Sequence, residues 1–157
     1  MKEIKIYDTI YGKKKEVKIN MLLNRIEKDK KKLFLQLVKK TMEADGFVSN
    51  KEEEIYKEFC TELGFALKDV EADVSRLSSE DIIQELRKNC SLIDRRLIAF
   101  EIITIAVADD GINEKENEVI NDFCNDFGIT DKLKEDMIFY AESYLQIQGD
   151  IISLIGL

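Results

Sequence analysis

The sequence predicts an all-α fold of about seven helices in two pseudo-symmetric halves. Three observations carry this. The chain of 157 residues has no proline and only 7 glycines, a composition that favours long uninterrupted helices. Its apolar residues recur at helical spacing. A segment of about 33 residues recurs, without a gap, 64 positions further on. The length suits one domain with a core of its own.

The elements follow in order. Residues 1–20, "MKEIKIYDTIYGKKKEVKIN", alternate Ile4 and Ile6, and again Val17 and Ile19, with polar neighbours around Tyr11-Gly12-Lys13. This pattern predicts a short β-hairpin or docked arm over 1–28, preceding a helical domain over 29–157. Leu33, Phe34, Leu37, Val38 and Met42 form a first helical stripe, and Ile55, Phe59, Cys60 and Leu63 a second, closed by Gly64. Leu67, Val70, Val74 and Leu77 form a third. Ser78-Ser79 caps a helix carrying Ile82, Ile83 and Leu86. Ser91-Leu92-Ile93-Asp94 opens a helix that is apolar on nearly every side, "LIAFEIITIAVA", and such a helix belongs in the centre of a bundle. Val119, Ile120, Phe123 and Phe127 follow, closed by Gly128, and Thr130 caps a last long helix. Its tail, "IISLIGL", reads as a final docked turn, or as a dimer contact if it is exposed.

The repeat pairs Leu33 with Leu97, Val38 with Ile102, Phe59 with Phe123 and Cys60 with Cys124. Two such units are too few for a solenoid and imply two halves about a pseudo-two-fold axis. At its centre stand two acidic turns, "ADGFVSNKE" (44–52) and "ADDGINEKE" (108–116). Each has the form of a helix stop at glycine followed by a capping box, Ser49 with Glu52 and Asn113 with Glu116. Capping does not explain Asp45 and Asp109, which face the negative end of a helix dipole, nor Asp110 beside them. An unfavourable charge written twice points to a cation or a basic partner that offsets it. A calcium loop of the EF-hand type does not fit, because Thr41 and Ala106 would occupy its first position. The expected ion therefore either sits between the halves or keeps several waters, with Asp45, Glu52, Asp109, Asp110 and Glu116 as oxygen donors. Without His, such a set suits Ca²⁺, Mg²⁺ or Mn²⁺.

These turns, each followed by an amphipathic helix ending at Phe-x-x-x-Leu-Gly or Phe-x-x-x-Phe-Gly, resemble the TerB tellurite-resistance family and its TerB-like relatives over residues 30–145. The resemblance implies a helical fold of two like halves, divalent-metal binding at acidic positions matching Asp45, Glu52, Asp109 and Glu116, and a bacterial stress-response role exercised through protein partners rather than catalysis. The second turn departs from the pattern by its extra Asp110, and residues 1–28 lie outside the resemblance.

Charge separates along the chain. Residues 1–40 hold 13 Lys/Arg against 5 Asp/Glu, and residues 41–157 hold 11 against 27. So acidic a body repels nucleic acid and attracts cations or basic partners. The basic run 27–40 reads as a solvated helix face, with peripheral membrane contact as the alternative. No stretch is apolar enough to predict a membrane span. Three cysteines that cannot all pair, and no signal peptide, predict reduced thiols in the cytoplasm. Without His, a phosphate loop or a nucleophile–base pattern, no enzyme is expected; a two-carboxylate hydrolase is the remaining catalytic option. The competing reading is a purely structural interaction domain whose acidic turns are helix caps and nothing more.

Overall fold

Short polar turns divide the chain into helices, and each boundary has a local cause. The computed structural model describes residues 23, 26–44, 46–74, 76–108 and 111–156. These contain seven helices and no strand: α1 (Lys28–Met42), α2 (Asn50–Glu62), α3 (Leu67–Val74), α4 (Ser79–Asn89), α5 (Leu92–Ala108), α6 (Glu114–Phe127) and α7 (Asp131–Ile155). The hairpin expected over 1–20 lies outside the described residues; of the arm, Leu23 and Ile26 are described and both are buried.

The predicted caps form. Ser78 Oγ accepts from the Asp81 N–H at 3.1 Å, and the Asp81 carboxylate accepts from the Ser78 N–H in return. Ser91 and Asp94 do the same at the start of α5, and Thr130 Oγ1 accepts from the Leu133 N–H at the start of α7. The repeat is visible at the level of single bonds. α2 and α6 end at glycines with φ of 80° and 70°, Gly64 and Gly128. Past them the Phe65 N–H donates to the Cys60 carbonyl and the Ile129 N–H to the Cys124 carbonyl, both at 2.8 Å. The two halves therefore close their helices by the same Schellman-type turn.

α5 is the central element, as its all-round apolar character requires. It packs on α1, α6 and α7, with Ile98, Ala99, Ile102 and Ile103 essentially inaccessible. Around it Phe34, Leu37, Phe123 and Phe127 complete one continuous core. The lysines of the basic run are less exposed than a solvated face would be. Lys39 lies 5.3 Å from the centre of the Tyr56 ring and 3.5 Å from the Glu43 carboxylate, so its stem covers apolar surface while its charge is matched.

By the offset of 64, α1 corresponds to α5 and α2 to α6. The halves then diverge. In the first, the chain breaks between α3 and α4, and α4 turns back onto α1 and α6. In the second, α7 runs straight through the corresponding positions for 25 residues. Its final turns overrun the body. The docked turn expected of "IISLIGL" is not found: Ile151, Ile152, Leu154 and Ile155 are all exposed. Among the described residues no helix is long and apolar enough to cross a membrane.

Candidate functional site

The acidic turns bring two of the predicted residues to one place. Gly46 and Gly111 adopt positive φ, 82° and 98°, and reverse the chain after α1 and α5. Three residues after Gly46 and two after Gly111, the chain enters its next helix through a capping box. Ser49 Oγ accepts from the Glu52 N–H at 3.2 Å, and Glu52 Oε2 accepts from the Ser49 N–H at 2.8 Å. Asn113 Oδ1 accepts from the Glu116 N–H at 2.9 Å, and Glu116 Oε2 accepts from the Asn113 N–H at 2.9 Å. This back-bonding holds each Glu against its own helix start instead of letting it reach into solvent. Both are buried, Glu52 at 7% exposure and Glu116 at 5%.

They line the same small pocket, which has a volume of about 10 Å³. That is space for one water-sized occupant. Its walls come in pairs related by the repeat. Val38 of α1 faces with Ile102 of α5, Thr41 with Ile105, Met42 with Ala106, and Glu52 with Glu116. Every lining residue thus has its own counterpart 64 positions away, and the pocket lies on the pseudo-two-fold axis. Five of the eight are apolar, one is a hydroxyl, two are carboxylates, and none is basic.

The electrostatics follow from this composition. Two carboxylates share a pocket with apolar walls, where charges interact far more strongly than in water. Each accepts a hydrogen bond from one backbone N–H. The Thr41 hydroxyl donates to the Leu37 carbonyl at 2.9 Å, so its oxygen keeps acceptor capacity. Thr41 is not among the donors the sequence predicts, and it breaks the EF-hand pattern of the first turn. Its signal was a polar side chain inside the apolar stripe of α1. Asp45, Asp109 and Asp110, the other predicted donors, lie outside the described residues. Among the described residues no three His, Cys, Asp or Glu side chains are grouped as a metal cage would need.

The cysteines have no part in this pocket. Cys60 and Cys124 occupy equivalent core positions, and Cys90 caps α4; all three are free thiols and buried. Burial pushes the Cys124 thiol up to about 12 and raises Cys60 and Cys90 above the ordinary thiol value. Protonated, enclosed thiols of this kind are poor nucleophiles and poor metal ligands.

Comparison of the chain with protein-family models, with curated proteins and with solved structures gives no match.

Proposed function

We infer that the protein is a non-enzymatic, TerB-like module that holds a divalent cation between its two halves and acts through protein partners. The observation that carries this reading is the convergence of Glu52 and Glu116 on one axial pocket. Two buried carboxylates with no basic residue in the lining make a locus of negative charge that a hard cation offsets. The available donors are oxygens, from Glu52, Glu116 and Thr41, and Asp45, Asp109 and Asp110 complete the predicted set. This chemistry favours Ca²⁺, Mg²⁺ or Mn²⁺ over zinc. The buried reduced thiols fit a cytoplasmic setting, and the acidic body fits basic protein partners rather than nucleic acid.

A second reading is favoured by the completed capping boxes. In it Glu52 and Glu116 are inward-turned caps, and the protein is a helical interaction domain without a ligand. Titration calorimetry and thermal melts with Ca²⁺, Mg²⁺, Mn²⁺ and Zn²⁺ separate the two. Cation binding predicts heat and a melting temperature that climbs with metal concentration, since a ligand at about 100 times its Kd stabilises by about 2.7 kcal/mol. Silence for all four at millimolar metal leaves only the capping role.

A further inference from the structure

The end of α7 carries a pattern that no other described residue satisfies. Leu133 and Met137 begin a series of apolar residues alternately four and three apart, and Tyr140, Tyr144, Ile147, Ile151 and Leu154 continue it. This is the heptad seam of a helix that pairs with another helix. A straight α-helix drifts about 20° per heptad relative to such a repeat, so over three heptads the seam winds about 60° around α7. Burial falls along it unevenly. Met137 is sealed in the core, Tyr140 is 63% exposed, Tyr144 is half-buried near Glu101 of α5, and Ile147 and Leu154 are 57% and 85% exposed. The seam starts on the molecule's own core and ends facing outward.

We propose that the outward part of this seam, Tyr140 to Leu154, pairs with the same segment of a second copy of the chain about a two-fold axis. Three observations select a second copy. The first is area. Along the seam Tyr140, Ile147, Ile151 and Leu154 are 45 to 85% exposed, and the flanking Ile155 is 45% exposed. At roughly 100 Å² each these five offer about 500 Å² per copy, so a two-fold pair buries about 1,000 Å² in all, the lower bound of a specific interface. The second is charge. Flanking positions of a heptad choose partners through opposite charges, and here 141, 143, 148, 150 and 155 hold a single charged residue, Asp150. Nothing in the flanks calls for a different chain or repels an identical one. The third is the repeat. The offset of 64 aligns Ile147 with Ile83 and Leu154 with Cys90, both buried where α4 turns back on the first half, while Ile151 aligns with the exposed Arg87. In the second half α7 does not turn back, and the corresponding face is uncovered by the described residues. A two-fold arrangement satisfies both copies at once and closes the assembly at two.

Sedimentation equilibrium of the full chain, from low to high micromolar concentration, tests this. Wild type is expected to move from one chain mass to twice that mass. Ile147→Glu with Leu154→Glu is expected to stay at one chain mass throughout, with unchanged helical circular dichroism, because neither side chain contributes to the core. Single-chain mass for wild type at the highest concentration would overturn the proposal. So would a dimer that persists in the double variant, since its interface would lie elsewhere.

Discussion

At Glu52 and Glu116, one side chain does two things that a substitution can separate. Glutamine keeps a carbonyl oxygen for the capping box and removes the charge. If the carboxylates repel one another across the pocket, Glu52→Gln with Glu116→Gln raises the melting temperature of the metal-free protein. The same pair then loses any response to Ca²⁺ or Mn²⁺. If the residues are caps alone, chemical denaturation should show the variant destabilised by about 0.3–1 kcal/mol per site, because each helix start loses a favourable negative charge. Cys124 gives a prediction of a different kind. Its pKa is raised to about 12 in the folded protein. The unfolded chain therefore releases this proton first, at an ordinary thiol value. The stability contribution is complete below that value and is lost as pH rises toward 12. Urea midpoints measured between pH 8 and 11 should fall with increasing pH, and Cys124→Ser should flatten the fall. Much at this scale was legible in the sequence. Ser49, Glu52, Asn113 and Glu116 declared their capping roles by spacing. That the two Glu residues meet was not legible from either turn, because spacing along one helix says nothing about which neighbour it packs on.

Among the elements, α6 and α7 show how the same residue type acts oppositely in two contexts. Gly128 ends α6 with φ of 70°, and a Cβ added there would meet nothing within 4 Å. The cost of Gly128→Ala is therefore backbone strain alone, about 1–2 kcal/mol. Gly149 lies inside α7 with equally open surroundings and helical geometry. Gly149→Ala should stabilise the protein by up to about 1 kcal/mol, because alanine loses less backbone freedom. Thermal melts of the two variants should shift in opposite directions. The place of α5 was legible in the sequence, because a helix without a polar face belongs at the centre. The sequence misled at the end of α7. "IISLIGL" is as apolar as a docked turn, and composition does not say where the body beneath a helix stops. The distinguishing signal was spacing, seven residues from Tyr140 to Ile147 and seven more to Leu154, against the 3.6 of a helix that lies flat on its own core.

For the whole molecule, stability rests on α5, which both halves use as a wall. Ile98 is wholly inaccessible there. Ile98→Ala should cost about 2–5 kcal/mol, transfer and cavity together. Urea unfolding followed by fluorescence and by circular dichroism should still give one coincident transition, since the two halves share this core. The two-half architecture was legible because the repeat pairs apolar with apolar without a gap. Its axis was legible only as an expectation, and the four matched pairs around one pocket realise it. Covalent joining of the halves has a consequence at that axis. A dimer of identical half-length chains must carry every substitution on both sides. A single chain holding both halves can change one side alone, and it has: Thr41 stands where its counterpart is Ile105. The pocket therefore has handedness, with its hydroxyl on the α1 wall and bare hydrocarbon opposite, and whatever enters it meets a preferred side.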